Sequence, residues 1–429
     1  MVALWPRAAE HGGMDAIDPV GTHDRDLDLE TQALVVGGGP AGLVTGLLLA
    51  RQGVDVIVLE KHADFLRDFR GDTIHPSTLA LLEEIGLLEE FLALPHDRMT
   101  RVSAGIGGRV YPLADMRRLP VRCRFVALVP QWDFLELLAR AAGELPGFRL
   151  LRSSELTDLI VEDGTVVGAR VRSPQGERRI RARAVIGADG RSSRVREAAG
   201  LRAVVSGAPM DVLWLRLPRR PDESLPLFSA GAGALICLDR GEYWQVALVV
   251  PKGAVAQLRG RRRPMEEVRA RIAATRPELA DRAQDREWTD VHELRVRVDH
   301  LPLWHRPGLL CIGDAAHAMS PAGGVGINLA VQDAVATARK LGPVLAERTA
   351  TAAELDAVRR RRLPAARLTQ RIQAVGFARL LKPSLEGRIR EAPLPLRVVS
   401  RLPVLQHLLG RLIGLGVRPE RFLRRTVRS

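Results

Sequence analysis

The chain contains few cysteines, few aromatic side chains and no long apolar run. Its three cysteines, Cys123, Cys237 and Cys311, lie far apart without CxxC spacing, which argues against a disulfide framework and against a zinc site. No stretch approaches the roughly 20 consecutive apolar residues that a membrane-spanning helix needs, and the N-terminus lacks the apolar segment of a signal peptide. We therefore expect a cytoplasmic protein without a metal site and without integral membrane association.

The positive charge comes almost wholly from arginine, because only four lysines contribute to a formal net charge of +14. Such a balance is found in proteins that bind nucleic acid or membranes. Apart from short runs at 261–263 and 359–362, however, the arginines are scattered, without interleaved aromatic residues or a nucleic-acid fold signature. We expect no nucleic-acid partner, and an anionic cofactor that uses part of the charge.

The order of apolar and turn residues predicts a mixed α/β chain. With 429 residues, 46% of them apolar, it buries more than one core and is expected to form two domains. Residues 1–30 are polar and without periodicity, which predicts a disordered extension. From Gln32 the pattern is strand, glycine turn, helix and strand, a βαβ unit. Later segments predict a helix over 76–94, a strand over 293–298 and proline-interrupted helices from 352 onward.

Two stretches predict antiparallel sheet inserted into this α/β chain. Between 150 and 186, three β-rich runs are separated by the turn pairs Asp163-Gly164 and Gln175-Gly176, which is typical of a hairpin meander. Residues 211–250 alternate between apolar and polar around glycine and proline breaks, as in a half-buried sheet of a second domain.

The first chemical motif is a glycine turn of the form GxGxxG. Gly37, Gly39 and Gly42 stand between a predicted strand and helix, and Glu60 ends the next strand. The first glycine permits the tight turn, the second lets the backbone approach a pyrophosphate, and the third lets helix and strand pack closely. Glu60 is placed to accept the ribose hydroxyls. This context predicts a dinucleotide site but does not separate FAD from NAD(P).

Two later motifs lead to a family resemblance: ADGRSSRVR at 188–196, and GDAAH at 313–317 continuing into SPAGGVGINL at 320–329. With the first motif they follow the order found in group A flavoprotein monooxygenases, the family of para-hydroxybenzoate hydroxylase and of many polyketide-tailoring hydroxylases, which this chain resembles from about Gln32 to Lys340.

The resemblance implies a Rossmann-like FAD-binding domain of the para-hydroxybenzoate hydroxylase type, with an inserted antiparallel-sheet substrate domain and a helical C-terminus. The chain is then expected to divide into a discontinuous FAD-binding domain (31–100, 121–203 and 294–350), a substrate-binding β-sheet domain (101–120 and 204–293) and a C-terminal helical region (351–429).

The residues that the resemblance assigns to cofactor binding are Gly37, Gly39, Pro40, Ala41, Gly42, Glu60, Lys61, Arg70, Gln131, Asp189, Gly313, Asp314, Pro321, Gly324, Gly326, Ile327 and Asn328. Pro321, expected to line the reacting face of the flavin, and Arg70, expected near the flavin and pyrophosphate, are also the candidate catalytic residues. Gln131 is expected to bond the ribityl chain, and Asn328 the flavin ring.

Simple chemistry supports several of these assignments and leaves alternatives open. Asp314 ends a strand, where a carboxylate accepts hydrogen bonds from ribityl hydroxyls, although an Asp at that place also caps turns. The glycine-rich loop that begins at Pro321 can lie against a flat ring, with the following helix N-terminus facing negative charge. Arg194 and Arg196, on a turn after a strand, suit a phosphate, and the alternative is an ordinary Asp-Gly turn at Asp189.

The resemblance implies that NADPH or NADH transiently reduces the flavin, and that oxygen then forms a C4a-hydroperoxide that hydroxylates or epoxidises a small aromatic or polyketide-like substrate. We expect residues 211–250 to line the substrate pocket. A redox-neutral cyclase and a non-catalytic FAD-binding protein remain alternatives. The partners are then a small molecule and molecular oxygen, in a monomer or homodimer, and the C-terminal helices close the pocket or form a dimer contact.

Overall fold

The structure is a computed structural model that describes residues 28–66, 73–207, 209–231, 233–389 and 391–423. Arg70 and nearly all of the predicted N-terminal extension lie outside these residues. The extension is shorter than predicted at its C-terminal end, since the first strand already begins at Leu29. None of the described helices is long and apolar enough to cross a membrane.

The strands, in chain order, are β1 (Leu29–Val36), β2 (Val56–Leu59), β3 (Thr73–Ile74), β4 (Asp97–Met99), β5 (Arg101–Ile106), β6 (Arg109–Asp115), β7 (Val126–Leu128), β8 (Phe148–Leu151), β9 (Glu155–Glu162), β10 (Thr165–Ser173), β11 (Gly176–Gly187), β12 (Val204–Val205), β13 (Met210–Pro218), β14 (Phe228–Ala230), β15 (Ala234–Asp239), β16 (Tyr243–Pro251), β17 (His292–Leu294), β18 (Asp299–His300), β19 (His305–Arg306) and β20 (Leu309–Cys311).

The helices are α1 (Pro40–Ala50), α2 (Pro76–Glu84), α3 (Leu88–Ala93), α4 (Gln131–Gly143), α5 (Arg194–Ala198), α6 (Ala254–Arg259), α7 (Pro264–Thr275), α8 (Gly326–Glu347), α9 (Ala352–Gly376), α10 (Lys382–Leu385), α11 (Leu394–Arg401) and α12 (Pro403–Leu415), with a π-helical turn at Phe377–Leu381.

An eight-stranded sheet forms the centre of the first layer. Its main order is β19-β20-β11-β1-β2-β8, and β1 pairs in parallel with both β11 and β2. The β9, β10 and β11 hairpins extend it in antiparallel fashion. Helices α1 and α8 pack against one another beside it, and α1 is buried from Ala41 to Ala50. A helix buried on every side needs apolar residues all round, which the sequence LVTGLLLA supplies.

A seven-stranded sheet forms the second layer, in the order β17-β13-β16-β15-β14-β5-β6. Residues 101–115 and 210–294 both contribute strands to it. One face packs on α6 and α7 through Leu213, Leu215 and Leu248. The opposite face contacts the C-terminal region, because Leu381, Ile389 and Leu415 are buried in the clusters on that side.

The structure corrects two predicted elements. The helix expected over 76–94 is two helices, α2 and α3, separated at Gly86, whose φ of +78° ends a helix. The strand expected over 293–298 is shorter, and as β17 it pairs with β13 in the seven-stranded sheet. Pairing with a neighbouring strand, which sequence periodicity does not reveal, decides where such a short segment belongs.

Candidate active site

The glycine turn after β1 is closed tightly against neighbouring backbone. Gly37 has a φ of +109°, and a Cβ there would lie 2.5 Å from the carbonyl oxygen of Ala188 at the end of β11. A Cβ on Gly42 would lie 1.8 Å from the carbonyl oxygen of Gly37. Both positions therefore exclude any side chain, as the tight turn and the helix–strand packing predicted from the sequence require.

The N-terminus of α1, in contrast, faces open space. A Cβ on Gly39 would meet no atom within 4 Å, and Pro40 occupies the first helical position, where no N–H is needed. Glu60 follows β2 and is buried, with Oε2 accepting from the Gly38 N–H at 3.1 Å. Lys61 is exposed. The turn thus leaves room for a ligand beside free helical N–H groups.

The two later motifs meet this turn at the carboxyl edge of the parallel strands. Gly313, after β20, has a φ of +58°, and its added Cβ would lie 3.1 Å from the Cβ of Ala41. The Asp314 carboxylate accepts from Arg191 Nε at 2.9 Å while remaining partly exposed. This edge of an open α/β sheet is where such folds bind their ligands.

The ADGRSSRVR segment is held by hydrogen bonds within itself. The Asp189 carboxylate accepts from Ser193 Oγ at 2.5 Å and from the Val195 N–H at 3.1 Å, so it caps α5. Burial raises the pKa of Asp189, although these hydrogen bonds act in the opposite direction. The carboxylate is thus engaged within the segment, and the cofactor role expected for Asp189 stays a prediction.

Arg196 makes contacts within the protein, and the phosphate role of the segment stays a prediction. Its guanidinium is buried and donates to the backbone carbonyl of Arg191 at 2.8 Å. Arg194 is exposed and lies 3.4 Å from the carboxylate of Glu155. A buried arginine must satisfy its donors, and Arg196 does so with backbone carbonyls and with the buried Asp299 carboxylate, 3.5 Å away.

The loop from Pro321 to Val325 contains two glycines in the left-handed region, Gly323 with a φ of +83° and Gly324 with a φ of +61°. A Cβ on Gly324 would lie 2.4 Å from Thr73 Oγ1, and that hydroxyl donates to the Gly324 carbonyl at 3.0 Å. The loop is thus pinned to β3. It leads into α8 at Gly326, where an added Cβ would meet nothing within 4 Å, followed by the partly buried Ile327.

Asn328 lies in the first turn of α8 and is buried. Its Oδ1 accepts from Thr78 Oγ1 at 2.7 Å and from the His75 N–H at 3.1 Å. Its Nδ2 has no hydrogen-bond partner among the described residues. A buried amide donor without a partner is costly unless a ligand supplies an acceptor.

The ring of His75 is held against the C-terminal region. Its ring is buried, and Nδ1 lies 2.7 Å from the Ile413 carbonyl oxygen of α12. Burial lowers the pKa of His75 to about 4, although the hydrogen bond to Ile413 acts in the opposite direction. The side chain therefore joins α2 to the C-terminal region.

Helix α9 holds the Pro321–Val325 loop through two glutamines, a contact that the sequence did not reveal. Gln373 Nε2 donates to the carbonyls of Ser320 at 3.0 Å and Ala322 at 2.8 Å, one on each side of Pro321. One turn earlier, Gln370 Nε2 donates to the Ala318 carbonyl at 3.1 Å. No sequence signal marks these residues, because a glutamine on a basic helix is ordinarily a surface residue.

A buried ionic cluster lies beneath the same loop and was also missed. Asp333 of α8 accepts from the Gly313 N–H at 3.1 Å and from Arg362 Nε at 2.9 Å, and its Oδ2 lies 2.5 Å from His317 Nε2. Burial lowers the pKa of His317, but the Asp333 carboxylate outweighs burial, so the pKa lies above its usual value. His317, in the GDAAH motif, was the one residue of this cluster that a sequence motif had marked.

One register row crosses the inner face of the seven-stranded sheet, from β17 to β6. Paired residues in neighbouring strands point to the same face. The row is His292, Trp214, Ala247, Ile236, Phe228, Ala104 and Tyr111. The indole N–H of Trp214 is buried and has no hydrogen-bond partner among the described residues.

A cavity of about 160 Å³ lies between the Pro321–Val325 loop and the C-terminal helices. Asn328 and Gln373 line it from α8 and α9, and Leu412, Ile413 and Leu415 from α12. Its described lining contains none of residues 211–250, which were expected to surround the substrate. The C-terminal helices therefore form part of a pocket wall beside the loop.

Together these observations fit a bound FAD. The α1 N-terminus would hold its pyrophosphate, Glu60 its adenosine ribose and Asp314 its ribityl chain, while the Asn328 amide donor awaits an acceptor on the ring. Gln131 is the first residue of α4 and partly buried. Its role and that of Pro321 stay predictions.

The chain belongs to the FAD binding domain family, which it matches over residues 30–372. It is an FAD-dependent monooxygenase, which uses NAD(P)H as reductant. A relative, 6-methylpretetramide 4-monooxygenase of Streptomyces rimosus, is 33% identical over 388 residues, 89% of this chain and 92% of that enzyme. Protoasukamycin 4-monooxygenase of Streptomyces nodosus subsp. asukaensis is 27% identical, over 85% of this chain and 93% of that enzyme.

Solved structures agree with this family. OxyS anhydrotetracycline hydroxylase from Streptomyces rimosus superposes with a TM-score of 0.71 at 26% identity, covering 91% of this chain and 77% of that one. The Diels-Alderase PyrE3 of pyrroindomycin biosynthesis superposes with a TM-score of 0.69 at 24% identity, covering 90% and 80%. The second likeness shows a shared fold alone.

Proposed function

We propose that this monooxygenase hydroxylates an aromatic, polyketide-type small molecule with one oxygen atom from molecular oxygen. The observation that carries the proposal is the 33% identity to 6-methylpretetramide 4-monooxygenase across nearly the whole of both chains. FAD, when bound, accepts a hydride from the nicotinamide and activates oxygen for transfer to the substrate. The chain's own task is to position the substrate and to exclude water.

The inner face of the seven-stranded sheet supports an aromatic substrate. Trp214 and Phe228 lie on one register row, and the unpartnered indole N–H of Trp214 is a donor for a carbonyl or phenolic oxygen. In this proposal the ring of the substrate lies between that face and the loop that carries Pro321. The loop is held in place by Thr73 and Gln373.

The cofactor sites carried over from the resemblance are part of the proposal. The backbone of Gly37–Gly42 binds the pyrophosphate, and the α8 N-terminus at Gly326 stabilises negative charge on the reduced flavin. Asn328 donates Nδ2 to the ring, since its Oδ1 is already occupied by Thr78 and His75.

The reaction is tested by mixing the FAD-loaded protein anaerobically with NADPH or NADH, and then with 6-methylpretetramide and isotopically labelled oxygen. We expect loss of the oxidised-flavin absorbance and a product that carries one labelled oxygen atom. A flavin that stays oxidised with both nucleotides, with and without substrate, contradicts the proposal.

Trp214→Phe tests the substrate face, because it keeps an aromatic ring and removes the N–H donor. We expect KM to rise by about tenfold, the weight of one buried hydrogen bond, with kcat nearly unchanged. Trp288→Phe, on the α6–α7 side of the same sheet, is the matched control. Equal kinetic constants for both variants contradict a substrate contact at Trp214.

The fold is shared with a Diels-Alderase, and fold does not fix function, so the experiment has to distinguish oxygen transfer from a redox-neutral reaction. The redox-neutral reaction predicts product formation without nicotinamide or oxygen consumption. A separate anaerobic incubation of enzyme and substrate without nicotinamide distinguishes the two, since conversion without NAD(P)H and oxygen occurs only in the redox-neutral case.

A further inference from the structure

Helices α11 and α12 form a pair, residues 394–415, that we call the C-terminal hairpin. It packs on β6 of the seven-stranded sheet. The contact is close, because a Cβ on Gly410 would lie 2.2 Å from the Asp115 carbonyl oxygen, and one on Gly414 would lie 2.7 Å from Leu119. The hairpin is thus fixed to the protein through one face.

The opposite face of the hairpin is apolar and exposed. Leu394 and Val398 lie one turn apart on α11, and Val404 and Leu408 one turn apart on α12. Leu394 is 72% exposed and Val404 69%. Single exposed apolar residues are ordinary, but two such stripes joined by the exposed Leu402 form a contiguous surface that calls for an explanation.

The charged residues of the C-terminal hairpin itself are all arginines. Residues 392–419 contain four arginines and no aspartate or glutamate. Arg401 and Arg411 continue the α11 and α12 stripes by one further turn and are exposed. The whole segment 352–429 has 18 Arg or Lys and five Asp or Glu, so it carries +13 of the net charge of +14.

The exposed apolar face and its arginines together indicate what kind of partner could bind the C-terminal hairpin. A second copy of the chain would bring Arg401 and Arg411 of both copies against each other, and such like-charge contacts oppose association. Leucine and valine flanked by arginine, on helices that lie flat on a protein, suit the interface of an anionic bilayer, where side chains enter the acyl boundary and arginines contact phosphates.

We propose that the exposed face of the C-terminal hairpin docks this enzyme on anionic lipid membranes, without spanning them. The far end of α12 places Leu412 and Leu415 in the wall of the cavity beside the Pro321–Val325 loop. Docking therefore brings the acyl region of the bilayer next to that wall. An apolar substrate dissolved in the membrane would then lie near the cavity.

The experiment is co-sedimentation of the FAD-loaded enzyme with vesicles of phosphatidylcholine alone or with about 30% phosphatidylglycerol. We expect binding only to the anionic vesicles, weakened by salt. Val404→Ser/Leu408→Ser should lower the partition coefficient at least about tenfold, since two apolar side chains no longer insert. Arg401→Gln/Arg411→Gln should lower it and flatten the salt dependence.

Val204→Ser/Val205→Ser is the matched control, because these valines are equally exposed but lie on β12. It should bind vesicles like the unchanged enzyme. No sedimentation with anionic vesicles, or equal loss in the control, overturns the proposal. A dimer in solution that Leu408→Ser dissociates also overturns it and assigns the face to a second copy. Flavin content and NAD(P)H oxidation without vesicles, measured in parallel, test the proposed function separately.

Discussion

Asp333 connects three parts of the molecule at the scale of single residues. It holds the Gly313 N–H of the cofactor edge, His317 of the same motif and Arg362 of α9. Arg362 in turn donates to the Arg418 carbonyl at 3.2 Å and lies 3.5 Å from Glu420, which is buried. A change at one residue of this cluster therefore reaches both the cofactor edge and the chain terminus.

Arg362→Met is expected to destabilise the protein by about 1.5–3 kcal/mol, because the buried Asp333 loses one charged hydrogen-bond donor while keeping His317. Arg360→Met on the same helix removes only a surface pair with Asp356 and should cost about 0.3–0.5 kcal/mol. Urea unfolding of the two variants measures both values. Equal midpoints would mean that the buried cluster contributes nothing to stability.

His75 should make the free energy of unfolding depend on pH. Its pKa is about 4 in the folded protein and 6.5 in the reference state. As the pH falls from 6.5 to 4, only the unfolded chain takes up the proton, so roughly 3 kcal/mol of stability is lost over that window. His75→Gln lacks this dependence. We would measure the free energy of unfolding of both proteins by urea at several pH values. The difference between the unchanged protein and His75→Gln should shrink as the pH falls from 6.5 to 4. A difference that stays constant with pH would contradict the assignment.

At the scale of elements, α9 acts on the active site without contributing a motif. It begins with a capping box, since Thr351 and Glu354 satisfy each other's backbone donors. It then passes beside α8 and presents Gln370 and Gln373 to the segment 318–322. The geometry of the Pro321 loop thus depends on a helix outside the GDAAH motif.

Gln373→Glu should loosen the loop, because a carboxylate would face the carbonyl oxygens of Ser320 and Ala322 instead of donating to them. We expect hydrogen peroxide released per NAD(P)H to rise by about tenfold and the flavin absorbance spectrum to shift, with little change in melting temperature. Gln406→Glu is the matched control, since its amide also bridges two carbonyls but in the C-terminal hairpin. An unchanged peroxide yield would contradict the positioning role.

At the scale of the whole molecule, the C-terminal region closes the space between the two sheets. Leu381 packs on the sheet face of Val212 and Val249, and Leu415 on the neighbouring cluster with Leu238. The inner face of the seven-stranded sheet is therefore buried partly by residues from the last quarter of the chain.

Truncation after Gly376 should abolish folding of the second layer, because it exposes that sheet face to water. We expect a protein that aggregates or lacks a cooperative unfolding transition, measured by solubility and thermal melting. Removing only the six residues after Leu423, which lie outside the described chain, is the control. A soluble, FAD-binding chain that ends at Gly376 would contradict this prediction.

The sequence by itself determined the cofactor edge of the fold. The βαβ unit, the positive φ of Gly37 and the close packing at Gly42 follow from residues within a few positions of one another, where backbone sterics permit only glycine. The strand periodicity likewise indicated the antiparallel stretches on either side of residue 200.

Only the tertiary structure decided how the polar side chains are used. Asp189 accepts from the first turn of α5, Arg196 contacts backbone carbonyls and Asp299, and Gln373 holds a loop some 50 residues away. Each partner is chosen by what packs nearby, and burial forces every donor to find an acceptor there. A sequence motif identifies which groups are present, whereas the fold determines which of them remain free for a ligand.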